Sequence, residues 1–410
     1  MKPVAHDSPA RDAAPHEPRV RRARAGLIAV FFVNGLVYAS WMPQIPTLRA
    51  DLGLSDAMLG LALLGPPVGF LAGTNLTGRL VSRFGSSAVT RGWAALYCLC
   101  LLPPAFAAGA GTLFALLIPL GLSQGSLVVA SNAHGAVLQR RYGRPIMAMF
   151  HAFYSMGGMA GAGLGGLAAH RDVDPRWHFA AVSLAGTLCA LVATRFLLPR
   201  PADGHGDHDG ARHGAAAPRR RTGGPVLLLS VLGFFVLMAE GETANWSAIY
   251  LKDVTGAGDG LAAAGYVAFA AMMTAGRLTG DRLVARFGPV RVVRVSAGLG
   301  AAGMALALLA GTTAAGIAGF AVLGLGLSGL IPILFSAAAN VPGTDPDRAL
   351  AQVVALSFLG FLAGPPLMGV IAEVASPTVG FALLAALIAA VSLAARAAAP
   401  AARGAKEDRA

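Results

Sequence analysis

Twelve predominantly apolar stretches follow one another along this chain, and no other feature limits its fold so tightly. They fall at about 25–46, 56–79, 91–109, 112–134, 145–169, 178–198, 225–251, 261–281, 291–310, 313–338, 349–372 and 377–397. A helix needs roughly 20 such residues to cross the hydrocarbon core of a bilayer. The pattern predicts an all-α membrane protein with twelve transmembrane helices. Long alternating runs are missing, so a β-barrel is not expected. Internal glycine and proline do not argue against helices, because neighbouring helices satisfy the freed backbone groups in lipid. Only 13% of the 410 residues are charged and 55% are apolar. That is too little charge to cover a soluble multidomain enzyme, and too much apolar content for a disordered chain. The first apolar run follows Arg21, Arg22 and Arg24 like a secretory signal. It lacks a convincing cleavage site and is read as a retained helix.

Basic residues test the helix count, since they accumulate on the cytoplasmic side. With twelve spans both termini share one side. Placing them in the cytoplasm puts 28 of the 32 Lys and Arg inside and only Arg49, Arg171, Arg176 and Lys252 outside. The loop after the eighth span is counted with Arg277, Arg282, Arg286, Arg291 and Arg294. The net charge of +12 is therefore topological, and no nucleic-acid partner is expected. Only Lys2, Lys252 and Lys406 are lysines, a bias read as that of a GC-rich bacterial genome. The expected location is the bacterial cytoplasmic membrane.

The chain divides into a tail (1–24), six helices (25–198), a polar linker (199–224), six helices (225–397) and a second tail (398–410). The halves repeat. Gly73, Leu80, Val81, Arg83, Phe84 and Gly85 recur as Gly276, Leu283, Val284, Arg286, Phe287 and Gly288. Phe31-Phe32-Val33 recurs as Phe234-Phe235-Val236, and Gly121-Leu122-Ser123 as Gly326-Leu327-Ser328. Two pseudo-symmetric six-helix bundles are expected, with a site between them. His205, His208 and His213 in the linker have no fixed metal-ligand spacing, so a solvated linker and no metal are expected. Cys98, Cys100 and Cys189 lie in apolar segments and read as small apolar filler.

Gly161–Gly166 and Gly324–Gly329 both satisfy G-x-G-x-x-G, but neither follows a strand. Small residues at these spacings let helices approach closely in lipid. A phosphate-binding G-x-x-x-x-G-K-[ST] is absent, which excludes ATP-driven pumping by this motif. Clustered catalytic groups are also missing, so an enzyme is not expected. Polar side chains avoid helices 3, 6, 9 and 12, which are expected to face lipid. They concentrate in helices 1, 4, 5 and 7, which are expected to surround a polar cavity. Glu240 and Glu242 lie midway along the seventh stretch. A carboxyl in an apolar medium favours its neutral form, which suits a proton carrier. Glu240, the more central, shares a helical face with Thr243 and Ser247; Glu242 shares one with Asn245 and Trp246. Asn34, Tyr38 and Trp41 share a face of helix 1. Gln124, Val128 and Ser131 do so in helix 4, which also carries Asn132. His151, Tyr154, Ser155 and Gly158 do so in helix 5. Amide and hydroxyl groups beside aromatic rings suit a sugar-like solute. Trp41 and Trp246 also fit an interfacial belt.

These residues resemble the major facilitator superfamily over essentially all of 25–397. Gly78-Arg79-Leu80-Val81-Ser82-Arg83-Phe84-Gly85 looks like its cytoplasmic G-x-L-a-D-R-x-G motif, with Ser82 at the Asp position. The second copy has Asp281 at the Gly position and Ala285 at the Asp position, with Arg282, Arg286 and Gly288 following the pattern. The resemblance implies that these loops gate the closed state through charge contacts. Ser40-Trp41-Met42-Pro43-Gln44-Ile45-Pro46, Ser131-Asn132-Ala133-His134, Ser155-Met156-Gly157-Gly158 and Glu240-Gly241 leading to Asn245-Trp246-Ser247 resemble the branch of fucose permease-like and rhizopine-uptake proteins. That branch commonly has Asp at Asn245 and a Glu near Gln139, so both departures remove a negative charge. The expectation is a monomeric secondary transporter in the lipid bilayer, working by proton-coupled symport of a small polar solute such as a sugar or cyclitol. It would need no cofactor beyond the proton gradient. The alternative is proton-antiport efflux of a drug or natural product.

Overall fold

The computed structural model describes residues 18–143, 146–199 and 223–399. Residues 1–17, 144–145, 200–222 and 400–410 lie outside the described residues, and with them the linker histidines His205, His208 and His213. The described residues form twelve helical spans and no strand. The spans are α1 (Pro18–Asp51), α2 (Asp56–Phe84), α3 (Ser86–Phe106), α4 (Ala110–Tyr142), α5 (Met147–His170) and α6 (Pro175–Thr194). They continue as α7 (Gly224–Val254), α8 (Asp259–Phe287), α9 (Pro289–Ala310), α10 (Thr313–Ala339), α11 (Pro346–Val374) and α12 (Pro377–Leu393). Ten of them are long and apolar enough to cross a membrane by length and composition; α12 is a shorter apolar helix. α5 does not reach that hydropathy, because His151, His170 and six glycines dilute its apolar residues.

Proline places most of the interruptions, since it lacks the N–H that a helix interior requires. α1 is helical to Ser40, tightens to a 3-10 turn over Met42–Gln44 around Pro43, and resumes at Ile45. α2 breaks after Ala62 and restarts at Gly65 with Pro66 and Pro67 in its first turn, where proline is tolerated. α11 runs through Pro365 and Pro366. α1 begins at Pro18, within the segment 1–24 read as a tail, because Val20 and Ala23 are buried and Arg24 donates to the Tyr142 hydroxyl.

The two halves pack alike. α1 lies against α5 and α2 against α4; α7 lies against α11 and α8 against α10. Glycine columns form the seams, where backbones meet too closely for a side chain. Gly65, Gly69 and Gly73 of α2 face the α4 backbone, and Gly157, Gly161 and Gly165 of α5 face that of α1. In the second half Gly360 of α11 lies against α7 and Gly324 of α10 against α8. Both G-x-G-x-x-G stretches thus serve helix packing. The repeat extends to dihedral angles: Gly85 has φ 80° and ψ 152°, Gly288 φ 77° and ψ 156°. Positive φ strains any residue with a Cβ, so glycine recurs at both turns. Arg83 stacks over Phe84 at 5.2 Å and Arg286 over Phe287 at 5.3 Å.

α3, α6, α9 and α12 form the periphery and expose Leu99, Leu188, Leu306 and Val379. Rows of exposed leucine and valine of this kind suit a lipid environment, as the distribution of polar residues predicts.

Candidate functional site

A cavity of about 260 Å³ lies between the bundles, lined from α1, α2, α4, α5, α7, α8 and α11. Its polar wall consists of Tyr38, Gln124, Tyr154, Ser155, Glu240, Asn245, Tyr266, Thr274 and Arg277. Its apolar wall includes Trp41, Phe70, Phe269, Met273, Phe358 and Phe361. Phe70 of α2 and Phe358 of α11 stack across the two bundles, with centroids 6.2 Å apart and planes inclined by 11°.

The chemical centre of the cavity is an ion pair. Arg277 Nη2 of α8 donates to Glu240 Oε1 of α7 at 3.4 Å. Tyr154 and Tyr266 both interact electrostatically with these two charges, and Tyr38 does so with Glu240. Ser155 and Thr274 donate their hydroxyl protons to the carbonyls of His151 and Ala270, so each turns oxygen lone pairs to the cavity.

The sequence-selected residues divide by position. Glu240, Tyr38, Trp41, Gln124, Tyr154 and Asn245 line the cavity. Glu242 does not; it is 1% exposed, enclosed in the α7–α11 seam against Gly364. Neither of its oxygens has a hydrogen-bond partner at ordinary geometry, although Asn245 and Trp246 lie close by. Trp246 is fully buried behind the wall, and Asn34 is buried within α1. Asn132 donates to the Val128 carbonyl of its own helix. His151 sits edge-on to Phe31 at 5.4 Å, one turn from Ser155, and feels the charge of Arg277. His134 is structural: its ring contacts Ser86 Oγ at 3.0 Å and accepts from Leu198 N at 3.3 Å. Gln139 Oε1 accepts from Ile146 N and Met147 N, which caps the start of α5.

Arg277 corrects the charge count. It does not belong to the loop after the eighth span, because α8 continues to Phe287 and carries Arg277 into the cavity. The sequence holds the signal, since Arg277 falls inside the predicted span 261–281 and an ionisable residue there marks a functional position. Tyr266, Phe70 and Phe358 carry no such signal; in sequence they are ordinary apolar or aromatic helix residues.

Among the described residues, the contacts that seal the cavity gather at one end. Arg49 bridges Asp56 of α2 at 2.9 Å and also Asp253 of α7, while Lys252 pairs with Asp259 at 2.6 Å. Glu373 of α11 accepts from Ala57 N at 3.2 Å. Beneath these charges Gly60 of α2 and Gly369 of α11 meet backbone to backbone. Towards the other end the Gly65–Phe84 part of α2 barely touches α11. Gly78, Arg79, Arg83, Asp281, Arg282 and Arg286 are exposed there, with Gly85 and Gly288 at the turns.

The Major Facilitator Superfamily model matches residues 27–345. An uncharacterized MFS-type transporter of Yersinia pestis is 34% identical over 368 residues, which cover 90% of this chain and 93% of the relative. The membrane protein MosC of Rhizobium meliloti is 33% identical over 343 residues, 84% of this chain and 82% of the relative. Among solved structures, the nucleoside transporter NupG has a TM-score of 0.72 at 13% identity, over 93% of this chain and 99% of its own. A D-xylose-proton symporter has a TM-score of 0.68 at 15% identity, over 92% and 96%. At these identities the structures share the fold. Twelve helices in two repeated bundles, a cavity between them and two relatives at about one-third identity agree: the chain belongs to the Major Facilitator Superfamily.

Proposed function

We propose that this multi-pass membrane transporter carries a small polar solute together with a proton, by alternating exposure of the central cavity. The observation that carries the reading is the Glu240–Arg277 pair inside the cavity at the bundle interface. A carboxylate held by a guanidinium and partly open to water is a site where proton uptake changes the local charge. The cavity's mixture of phenols, amides and aromatic faces supports a hydroxylated solute. The D-xylose-proton symporter that shares the fold works with that class of solute, and proton.

In this reading the protein sits in a bacterial cytoplasmic membrane as a monomer, with both termini in the cytoplasm. The arginine-rich end is then cytoplasmic and the sealed end is outside, so the structure corresponds to an inward-open carrier. Protonation of Glu240 permits the loaded carrier to reorient, and deprotonation inside releases solute. The test is uptake in proteoliposomes under an imposed pH gradient. Glu240→Gln is expected to lose gradient-driven accumulation while retaining exchange of solute at equal pH. Unchanged proton dependence in this variant would sink the reading.

The apolar wall of Phe70, Met273, Phe358 and Phe361 favours a second reading, proton-antiport efflux of a drug or natural product. In that case expression would protect cells from an amphipathic compound, and Glu240→Gln would abolish the protection.

A further inference from the structure

Among the described residues, the cavity wall holds one fixed positive charge, and that charge restricts what the solute brings. An arginine guanidinium carries a fixed positive charge. The partner of Arg277 is Glu240. The other titratable groups facing the pair are Tyr38 on α1, His151 and Tyr154 on α5, and Tyr266 on α8. Phenols are neutral near pH 7, and an imidazole is neutral or cationic. Glu242, on α7 itself, is walled into the seam with α11 and lines no part of the cavity. Among the described residues, nothing else in the cavity wall balances Arg277 once Glu240 takes up a proton.

We propose that the solute is a hydroxylated monocarboxylate, and that its carboxylate takes the place of Glu240 on the Arg277 guanidinium as Glu240 becomes protonated. This rests on the proton-coupled reading and adds the charge of the solute. The charges balance at both ends of the exchange. The empty carrier holds Glu240 as carboxylate against Arg277, and the loaded carrier holds neutral Glu240 with the solute carboxylate against Arg277. Both states sum to zero. Proton without solute leaves one positive charge in excess, and solute without proton leaves one negative charge. In the open carrier the side chains of Arg277 and Glu240 are 49% and 27% exposed, so water solvates them while they part. Closure removes that water, and an unbalanced charge in a low-dielectric site is costly. Closure is therefore the step that rejects the two unbalanced states.

The rest of the wall fits such a solute. The guanidinium fork receives a carboxylate through two parallel hydrogen bonds. Ser155 and Thr274 have given their protons to their own helices, so their oxygens accept from solute hydroxyls. Gln124 and Asn245 offer both donors and acceptors. A dianionic phosphate would leave a negative charge after one proton, which disfavours sugar phosphates.

The experiment uses the full chain in proteoliposomes and three matched probe pairs: glucuronate with glucose, galacturonate with galactose, and quinate with inositol. Binding is read first, as a shift in melting temperature. At least one acid is expected to stabilise the wild type, with no effect from its uncharged counterpart. Arg277→Gln is expected to lose that shift and Arg277→Lys to retain part of it. Uptake of the binding acid is read second. One unit of pH gradient is expected to give about tenfold accumulation. An interior-negative potential of about 100 mV would multiply accumulation of a neutral solute plus proton ~50-fold, but is expected to leave the acid unchanged. The proposal is overturned if no acid binds, if an uncharged counterpart binds as well, if binding survives Arg277→Gln, or if uptake follows the potential. Uncharged solute that accumulates with protons would overturn the anion and keep the proton coupling. Acid that binds through Arg277 yet moves without protons would overturn the coupling itself.

Discussion

Glu240 and Glu242 stand two positions apart on one helix and face opposite surroundings, as the helical angle between them requires. Glu240 reaches the cavity and Arg277. Glu242 is pressed into the seam with α11, where Gly364 leaves room for its carboxyl group. A Cβ at 364 would stand 2.9 Å from Glu242 Cδ, inside contact distance. Gly364→Ala is therefore expected to destabilise the protein by about 1–3 kcal/mol, the usual range for overpacking. Glu242→Ala in the same chain removes the clash, so the double variant is expected to be more stable than the sum of the single effects by at least ~0.5 kcal/mol. Thermal melting of the four proteins in detergent closes this cycle. Strict additivity would show that Gly364 is not there to accommodate Glu242.

At the scale of helices, the seams depend on glycine at specific turns and not on glycine content. Gly161 of α5 lies on the Leu36 carbonyl of α1, whereas a Cβ at Gly163 would meet nothing within 4 Å. Gly161→Ala is expected to cost about 1–3 kcal/mol by forcing α1 and α5 apart. Gly163→Ala, two residues away, is expected to be neutral or to stabilise by up to ~1 kcal/mol through helix propensity. Melting temperatures of the two variants test this, and equal losses would disprove the seam. The same helices show how far sequence reaches. The repeat of Gly85 at Gly288 and the apolar outer helices are legible, because both are periodic properties of the chain. The interruptions at Pro43 and at Pro66-Pro67 are not, since proline in lipid is compatible with a straight span or a broken one. The α2, α8 and α11 walls of the cavity are also hidden. They are lined by Phe70, Phe269 and Phe358, residues that look the same whether they face lipid or solute. Arg277 is legible by depth but is obscured when it is counted with the loop arginines.

At the scale of the whole molecule, the seal at the acidic end includes, beside the Glu373 contact with Ala57 N, two unequal parts. One is the backbone contact of Gly60 with Gly369, which closes the gap and holds no charge. The other is Arg49, which joins the start of α2 to the end of α7 and so ties one bundle to the other. Its side chain is 24% exposed, and those of Asp56 and Asp253 are 13% and 38% exposed. Pairs open to solvent to this degree each contribute about 0.2–1 kcal/mol. Only the pair with Asp253 crosses from one bundle to the other, so removing Arg49 weakens closure by about 1 kcal/mol at the upper end of that range, which corresponds to a roughly fivefold shift between closed and open populations. Leu63 reports that shift, because it lines the cavity just below the seal and is 1% exposed when the seal is shut. In a background without Cys98, Cys100 and Cys189, a cysteine at 63 is expected to react about five times faster with an impermeant maleimide applied outside the cell once Arg49→Ala is added. From the cytoplasmic face the same cysteine is expected to gain no reactivity in the variant, because position 63 is already shielded in the inward-open state, where Leu63 is 1% exposed. Faster reaction from both faces at once would mean that Arg49 holds the bundles together and does not choose between their orientations.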